Sequence, residues 1–372
     1  MSEYKICKRC VMDNLNTDIT FDENGYCNYC TEALKNKDKI WKNNEIGKKE
    51  LDSLIEKIKQ DGKGKKYDCI IGISGGIDSS YCAYLCNKYN LRMLGIHIDA
   101  GWNTDISEKN IKNLCKKLNL DLKVIKMNEK EMMDLQKAYF KAEVINQDVP
   151  QDSAFFSNLY RYAINNNLKY VINGSNFSSE SILPKSWGFD ANDGRNTLDI
   201  HKKYGSIKLK EYKPFTFYEK YIEQKYINKL KIVKPLNLID YNKENAIIEL
   251  HDMLNFEYYG SKHCESAFTR LYQGYILPEK FGVNKSKAHY SSLIVANQIT
   301  REEALKKISN NEYKNSDQCE KDIELFIKKI GISRKYFDNI ISDGIVRRHK
   351  DFKNYNNIYN FFRKIKSLLR KT

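Results

Sequence analysis

The feature that most constrains the fold is a short apolar run that leads into a glycine pair and then into an amphipathic segment. The sequence YDCIIGISGGIDSSYCAYLCNKY predicts a strand over 69–73, a loop at Ser74, Gly75 and Gly76, and a helix from about Asp78. Glycines let the backbone approach an anion with N–H groups pointing inward, and a helix start adds a positive dipole end. The loop therefore predicts phosphate binding. It has neither the Gly-Lys-Ser/Thr of a Walker loop nor the GxGxxG spacing.

Strands and helices continue to alternate after this loop, which predicts a parallel sheet. The expected elements are a strand over 93–99, a helix over 107–118, a strand over 122–127, a helix over 153–165 and a strand over 170–175. Ligands of such sheets gather at the carboxyl ends of strands, where Ser74, Asp99 and Ser175 fall. Two structural alternatives stay open: a glycine turn without function, and polar residues that merely end strands.

Two CxxC pairs at the N-terminus have the spacing of a four-thiolate metal site. Cys7 and Cys10 are separated from Cys27 and Cys30 by 16 residues, and Asn24-Gly25 fits a hairpin turn that brings the second pair back. Four thiolates leave no open coordination position, so we expect a structural Zn²⁺ ion. Ordinary buried or reactive cysteines and an iron–sulfur cluster are the alternatives.

Composition limits the class of protein. The 372 residues carry 63 Lys and Arg against 48 Asp and Glu, a net charge of +15 that suits phosphate-bearing or carboxylated partners. Residues 320–372 hold 14 basic and 6 acidic side chains, and 356–372 predict a cationic amphipathic helix that packs on protein, with membrane surface or RNA as alternatives. Without an apolar run of about 20 residues or a signal peptide, we expect a cytoplasmic protein with no membrane span.

The loop Ser74-Gly75-Gly76-Ile77-Asp78-Ser79 resembles the SGGxDS signature of the PP-loop ATP pyrophosphatases at every fixed position. These enzymes hold the β,γ-phosphates of ATP and release pyrophosphate while they adenylate an oxygen. The resemblance implies an α/β fold, a parallel-sheet domain of the HUP-like, N-type ATP pyrophosphatase class. We expect Gly75→Val to fill the space of the phosphates and abolish activity while leaving the fold intact.

Longer stretches of the chain resemble the N-acetyl sugar amidotransferase family of bacterial surface-sugar biosynthesis. They are CKRCVMD, ITFDENGYCNYC, NGSNFSSESILPKSW and KHCESAFTRLYQGYILPEKFGVNKSKAHYSSLI, within about residues 4–310. Members of the family make the acetamidino form of pseudaminic acid for flagellin glycosylation, or act on a mannuronic acid derivative. The resemblance implies that ATP and Mg²⁺ activate an acetamido oxygen of an N-acetylated nonulosonic or uronic sugar, and that ammonia displaces AMP.

The resemblance also assigns roles to residues. Expected catalytic residues are Asp78, Lys280, Arg270 and Lys287, with Arg270 best shaped for a sugar carboxylate. Expected nucleotide-binding residues are Ser74, Gly75, Gly76, Asp78, Ser79, Asp99, Gly174, Ser175 and Asn176, with Asp78 or Asp99 as the Mg²⁺ ligand. Glu180 and Glu265 are further candidates for metal or substrate, while solvated surface glutamates are commoner.

The expected organisation is a zinc-binding module over 1–34, a helical linker over 35–66, the PP-loop domain over 67–250 and a helical C-terminal region over 251–372. The segment 177–214 suits a lid, a substrate loop or a static excursion. His97, His201, His251 and His349 lack the spacing of a metal site and are interpreted as ordinary core or surface histidines.

The chain shows no glutaminase pattern, so the resemblance implies a separate class I glutaminase subunit that supplies ammonia; no DNA partner is expected. The rival function is a PP-loop tRNA-thiolating enzyme, because some of these enzymes also carry CxxC modules and a basic surface. Such enzymes commonly need a further reactive cysteine pair or an iron–sulfur cluster. The remaining cysteines form no second CxxC pair, and Cys82 and Cys86 are expected to be buried.

Overall fold

A computed structural model describes residues 3–15, 18–260, 264–309, 313–356, 358–360 and 363. Its helices are α1 Asn28–Ile40, α2 Glu45–Asp61, α3 Ile77–Lys88, α4 Asp105–Leu118, α5 Glu129–Ala142, α6 Val149–Asn165, α7 Phe177–Glu180, α8 Gly194–Tyr204, α9 Lys243–Leu254, α10 Ala267–Leu271, α11 Leu277–Phe281, α12 Lys285–Val295, α13 Arg301–Ser309, α14 Asp317–Ile330 and α15 Arg334–Ser342. Its strands are β1 Cys69–Gly72, β2 Met93–Asp99, β3 Asp121–Lys126, β4 Tyr170–Ile172 and β5 Lys231–Val233.

The five strands form one parallel sheet in the order β3-β2-β1-β4-β5. In the register, Ile71 of β1 lies opposite Gly95 of β2 on one side and Ile172 of β4 on the other. The chain therefore winds outward from β1 in both directions, and the order reverses between β1 and β4. This is where open parallel sheets bind their ligands, and it is where the predicted phosphate loop leaves β1.

Each face of the sheet has its own core, because successive side chains of a strand point to opposite faces. Ile70, Leu94 and Ile96 face a core completed by α5, α6 and the C-terminal helices. Cys69 and Ile71 face the other core, which α2, α3, α4 and α9 cover. The sheet is thus the middle layer of three, as expected for parallel strands buried on both sides.

The stretch predicted as a helical linker, 35–66, holds the end of α1 and all of α2 rather than one continuous helix. The chain leaves the helical conformation after α1, and Asn44 then caps α2 by accepting from the backbone N–H groups of Ile46 and Gly47. A side chain at Gly47 would meet the carbonyl oxygen of Lys42 at 1.8 Å, so the turn needs a glycine there. The break places α2 against the sheet while α1 stays with the cysteine module.

The cysteine module packs directly on the C-terminal region. The Val11 N–H donates to Ser291 Oγ, Lys287 pairs with Asp13, and Arg301 Nε donates to the Cys7 carbonyl at 3.1 Å. α12 therefore has the cysteine module on one side. The boundaries predicted for the four regions stay a prediction.

The segment predicted as a lid or an excursion is packed against α5. Glu131 accepts from the backbone N–H groups of Lys210 at 2.8 Å, Glu211 at 3.0 Å and Tyr212 at 2.7 Å. Trp187 in the same segment is buried. These contacts favour the static excursion over the lid.

The C-terminal region is helical, as predicted, and α10 to α15 account for most of its described residues. Most of the predicted amphipathic helix over 356–372 lies outside the described residues. Within the described part of the chain, no helix is long and apolar enough to cross a membrane.

Candidate active site

The predicted phosphate loop joins β1 to α3 and is held open by its own side chains. Ser74 Oγ lies 3.1 Å from Ser79 Oγ and accepts from the Gly76 N–H at 3.1 Å, which fixes the curve of the loop. Gly75 has a φ of +78°, a conformation that favours glycine. Gly76 precedes α3 and has no side chain to cap it, so the first turn of α3 presents backbone N–H groups to an anion.

The end of β4 lies against the start of α3, as the strand order requires. A Cβ atom at Gly174 would lie 2.7 Å from the carbonyl carbon of Asp78 and 2.9 Å from the backbone nitrogen of Ser79. Asn173 Oδ1 accepts from the Ser175 N–H at 2.7 Å and shapes the turn after β4. The predicted residues Ser74, Asp78, Ser79, Gly174 and Ser175 therefore meet at one place.

The space beside Gly75 is occupied by protein, which corrects the expectation for Gly75→Val. A Cβ atom there would lie 2.5 Å from the carbonyl oxygen of Ser107 in α4. Together with the positive φ, this contact means that valine would displace the backbone of the loop and of α4. The substitution would disturb the local fold, so it cannot separate binding from folding.

A cavity of about 350 Å³ extends from the phosphate loop toward the C-terminal region. Its polar lining beyond the loop comes from α6, from the chain after β4 and from the segment 265–285. These lining residues include Asp148, Gln151, Asp152, Asn173, Glu180, Glu265, Ser266, Thr269, Gln273 and Lys285. The cavity therefore has a loop end, formed by residues 72–79, and a C-terminal end, formed by α10 to α12 and the residues of α6 beside them.

Carboxylates predominate in the described lining of this cavity. They are Asp78, Asp148, Asp152, Glu180 and Glu265, against one ammonium group, that of Lys285. A polyphosphate entering such a site needs a divalent cation to offset the repulsion. The donor set is hard oxygen, which fits the predicted Mg²⁺, and Asp78 is the predicted ligand that lies in the cavity.

Asp78 accepts a hydrogen bond from the Tyr241 hydroxyl at 2.6 Å, which orients its carboxylate at the start of α3. Burial, reinforced by the nearby charge of Asp78, holds the pKa of Tyr241 well above its usual range. The tyrosine is therefore a hydrogen-bond donor at neutral pH and remains protonated.

Two predicted nucleotide ligands make contacts within the protein, and their role toward the nucleotide stays a prediction. Asp99 Oδ1 accepts from the Gly101 N–H at 2.9 Å, and Asp99 is not among the described residues that line the cavity. Asn176 caps α7 by accepting from the Ser179 N–H at 3.0 Å and is buried. The Asp99 contact stabilises a turn and the Asn176 contact caps a helix. Such contacts are the structural role that was left open for polar residues that follow strands.

The three predicted catalytic cations do not line the cavity. Arg270 donates to both oxygens of Asp322, at 2.6 and 2.8 Å, and its guanidinium fork is thereby occupied. Lys280 is buried, with its ammonium 2.5 Å from Glu143 and 2.8 Å from Asp343. Lys287 pairs with Asp13 of the cysteine module. The geometry does not favour catalytic roles for them, and those roles stay a prediction.

Sequence reasoning missed several residues of the cavity. Lys285 was one of seven basic residues in its segment, and neither spacing nor charge singled it out. Gln151 sits on α6, which was predicted only as a helix. His97 lies on the cavity wall, where Nδ1 meets the Ile73 carbonyl at 2.8 Å and Nε2 meets Asn103 Nδ2 at 2.9 Å. Both ring nitrogens therefore have partners within the protein, and His97 has a structural role in the cavity wall.

The four N-terminal cysteines form a compact cluster. All four are fully buried, and their sulfur atoms lie within 4.8 Å of one another. The separation is 3.7 Å between Cys7 and Cys30 and 3.6 Å between Cys10 and Cys27. A tetrahedral ion with metal–sulfur bonds of about 2.3 Å places its sulfurs about 3.8 Å apart, so the cluster fits one such ion. Zinc stays the prediction for its identity.

Backbone N–H groups support the cluster. Those of Cys10 and Cys27 donate to Cys7 Sγ at 3.4 and 3.2 Å, and that of Cys30 donates to Cys27 Sγ at 3.3 Å. Such donors stabilise thiolates. The predicted hairpin between the pairs is confirmed, because Gly25 has a φ of +78° and Phe21 bridges Cys27 in antiparallel fashion.

Two family models match separate parts of the chain. Residues 47–202 match the model described as NAD synthase. Residues 265–366 match the model described as LPS biosynthesis protein WbpG-like, C-terminal domain. The chain has a PP-loop, NAD synthase-like fold. This fold indicates an ATP-using enzyme, and the second match relates the C-terminal region to lipopolysaccharide biosynthesis.

A curated relative, a probable sulfurtransferase of Methanocaldococcus jannaschii, is 30% identical over 102 residues. That match spans 26% of this chain and 30% of the relative. Among solved structures, the NMN synthetase of Francisella tularensis matches at 15% identity over 78% of this chain and 94% of that chain, with a TM-score of 0.37.

Two other solved structures are similar. The NH3-dependent NAD synthetase of Campylobacter jejuni matches at 21% identity over 73% of this chain and 96% of that chain, with a TM-score of 0.30. The U34-tRNA thiolase NcsA of Methanococcus maripaludis, with its [4Fe-4S] cluster, matches at 16% identity over 89% of each chain, with a TM-score of 0.33.

Proposed function

We propose that this protein is an ATP-dependent amidotransferase that converts an acetamido group of an N-acetylated bacterial surface sugar to an acetamidino group. The observation that carries the proposal is the shared cavity. One end is the phosphate loop, and the other is built by the segment that matches a lipopolysaccharide-biosynthesis domain. An acceptor bound at the C-terminal end would face the α-phosphate of ATP bound at the loop.

The reaction has two balanced steps. In the first, the amide oxygen attacks the α-phosphorus, the bond to the β-phosphate oxygen breaks, and pyrophosphate and a proton leave an O-adenylyl imidate. In the second, ammonia adds to the imidate carbon and AMP departs with the former amide oxygen. The product is an amidine, which takes up a proton at neutral pH.

Different residues of the cavity would carry out different parts of this reaction. The loop from Ser74 to Ser79 would hold the phosphates through backbone N–H and hydroxyl groups. Asp78 would hold Mg²⁺, which neutralises charge on the phosphates as pyrophosphate leaves. The cavity lies between helices and is partly enclosed by Phe155 and Phe156, which limits the access of competing water to the imidate.

The finer parts of the proposal concern partners. Pseudaminic acid is the proposed sugar, with other nonulosonic and uronic acids as related acceptors. Ammonia would come from a separate class I glutaminase subunit, because the chain has no recognisable glutaminase pattern of its own. The proposed location is the cytoplasm, where ATP and glutamine are available.

One comparison favours a second candidate, thiolation of tRNA: the match to a probable sulfurtransferase. That chemistry uses a reactive thiol or a cluster beside the nucleotide. Outside the N-terminal cluster, Cys69, Cys82 and Cys86 are fully buried, as predicted for the last two. Burial raises the pKa of Cys115 and of Cys319 to about 11, so neither is an activated thiol. These five cysteines are therefore not activated thiols, and the match of residues 265–366 to a lipopolysaccharide-biosynthesis domain favours the sugar reaction.

The test is a reaction with defined products. The protein is incubated with Mg-ATP, ammonium and N-acetylated nonulosonic or uronic sugars, and nucleotides and sugars are separated by chromatography with mass detection. We expect AMP, pyrophosphate and a sugar about one mass unit lighter, in equal amounts. ADP and phosphate would contradict a PP-loop reaction. Thiolated tRNA formed from ATP and a sulfur donor, with every sugar unchanged, would establish the second candidate instead.

A further inference from the structure

We propose that Glu265 makes the phosphate loop selective for nucleotide that carries a divalent cation, because its carboxylate lies where the phosphates of a metal-free nucleotide would bind. The inference rests on the proposed function for the position of the nucleotide, whose phosphates would lie at residues 74–79. It concerns the form of the nucleotide that the site accepts, which neither the family models nor the similar structures address.

The carboxylate of Glu265 lies at the mouth of the phosphate loop. The point where a Cβ atom would stand on Gly76 is 2.7 Å from Glu265 Oε1 and 3.0 Å from Ser74 Oγ. A phosphate oxygen that accepts hydrogen bonds from the loop lies about 2.7–3.0 Å from its donors. The carboxylate therefore occupies the region that a phosphate bound at Ser74 and Gly76 would enter, and the two anions compete for it.

The main chain at Glu265 is held in place, so only the side chain is left to move away from the loop. The Glu265 carbonyl oxygen accepts from the backbone N–H and from the hydroxyl of Thr104, at 3.1 and 3.2 Å. Two residues later, the Ala267 N–H donates to the Trp102 carbonyl at 2.8 Å. The chain after β2 thus holds the carboxylate at the loop, and phosphates enter when the side chain rotates.

One backbone donor that would attract an anion is already used. The Ile77 N–H, in the first turn of α3, donates to the Tyr259 hydroxyl at 3.0 Å. Burial, reinforced by the nearby charge of Glu265, holds the pKa of Tyr259 well above its usual range, so this hydroxyl stays protonated. A neutral tyrosine and a carboxylate therefore lie against the start of α3, which weakens the attraction of the helix terminus for a free polyanion.

Among the described residues that line the cavity, the one ammonium group lies far from this repulsion. Lys285 is at the C-terminal end, where its nitrogen is 3.7 Å from Asp148 Oδ2. At the loop end, Asp78 adds a second carboxylate to that of Glu265. Like charges at short distance repel, and a divalent cation between them makes the interaction favourable. Metal-bound nucleotide can therefore displace or share the Glu265 carboxylate, while free nucleotide meets its uncompensated charge.

The experiment compares nucleotide binding with and without the cation and does not depend on turnover. Full-length protein is titrated by calorimetry with α,β-methylene ATP, which cannot release pyrophosphate, in saturating Mg²⁺ and in buffer without added divalent cation. Glu265→Gln removes the charge and keeps the shape. We expect it to bind the metal-free analogue about tenfold more tightly than wild type, and the Mg²⁺ complex with less than about a threefold change.

Glu265→Ala removes volume as well as charge and should tighten metal-free binding at least as much. Glu257→Gln is the matched control, because Glu257 pairs with Lys109 and is not among the described residues that line the cavity. It should keep both wild-type affinities. Melting temperatures show whether each variant folds, and either Glu265 variant alone is enough for the comparison.

Two results would overturn the inference. If the Mg²⁺ complex binds much more weakly to Glu265→Gln, the residue is a ligand of the cation. If metal-free nucleotide binds no more tightly to the Glu265 variants than to wild type, the carboxylate does not compete with phosphate. Nucleotide binding by wild type leaves the proposed function standing in both cases.

Failure of the proposed function gives a different pattern. If neither wild type nor any variant binds the analogue, even with Mg²⁺, the proposed use of ATP fails and this inference fails with it. Selection of metal-bound nucleotide through Glu265, without formation of an amidine from any sugar, would refute the proposed reaction and leave the role of Glu265 standing.

Discussion

Gly174→Ala is the substitution that most sharply probes the contact between β4 and the phosphate loop. The added Cβ atom would lie 2.7 Å from the carbonyl carbon of Asp78, 2.8 Å from its oxygen and 2.9 Å from the nitrogen of Ser79. Ordinary contacts begin near 3.4 Å, so the start of α3 has to move by several tenths of an ångström. All three atoms belong to the backbone, and no side chain can rotate away.

Overpacking of this kind costs about 1–3 kcal/mol. Because the displaced atoms include the first turn of α3, part of that cost falls on phosphate binding. We expect Gly174→Ala to weaken the binding of α,β-methylene ATP by about tenfold or more, which corresponds to about 1.4 kcal/mol. We also expect it to lower the melting temperature by a few degrees.

The matched control is Gly188→Ala. Gly188 has no atom within 4 Å of the position of a Cβ and an extended backbone with φ of −126°, so alanine fits there without strain. Calorimetric titration and scanning calorimetry on both variants give affinity and stability separately. Unchanged nucleotide affinity in Gly174→Ala would refute the claim that the phosphates bind at the start of α3 beside β4.

Three further outcomes follow from the contacts. The double variant Cys10→Ser, Cys27→Ser should lose its bound metal by elemental analysis and unfold at lower temperature; full zinc occupancy would disprove the site. Burial opposes ionisation of Glu131, but three backbone N–H groups outweigh it and hold its pKa below the ordinary value. Its carboxylate therefore contributes stability that is present above the unfolded-state pKa and is lost as the pH falls through the folded-state pKa, and unfolding of Glu131→Gln should lack this acid-side loss. Arg270→Met should cost about 3–5 kcal/mol in unfolding free energy by leaving the buried Asp322 without a countercharge, while the KM for the acceptor stays unchanged; a selective rise in that KM would restore Arg270 to the site.

The sheet was predictable because its strands are short apolar runs between clear turn signals. The strand over 93–99 was predicted with the bounds that the structure gives, and the other three with errors of one to three residues. β5 was missed, since Lys231–Val233 is only three residues long, which is too short to show a period. The break between α1 and α2 was missed because both helices are rich in lysine and no proline separates them.

The phosphate loop was predictable from spacing alone, because adjacent residues must lie together in space. The cysteine cluster was predictable for the same reason, since two local pairs need only one turn to meet. The C-terminal end of the cavity was not. Whether Arg270 or Lys285 faces the cavity depends on partners such as Asp322 and Asp148, which lie 52 and 137 residues away in the chain. Counting the charged residues of a segment cannot show whether a given Lys or Arg side chain is already paired within the protein or lies in the cavity.

The central claim is that the amide oxygen of the acceptor is the atom that ATP activates, and isotope transfer measures this directly. An N-acetylated acidic sugar carrying ¹⁸O in its acetamide group is incubated with the protein, Mg-ATP and ammonium, and the nucleotides are analysed by mass spectrometry. The account predicts that the label appears in AMP, one atom for each amidine formed, with none in pyrophosphate. Label that stays in the sugar while ATP is consumed, or that appears in inorganic phosphate, would contradict it.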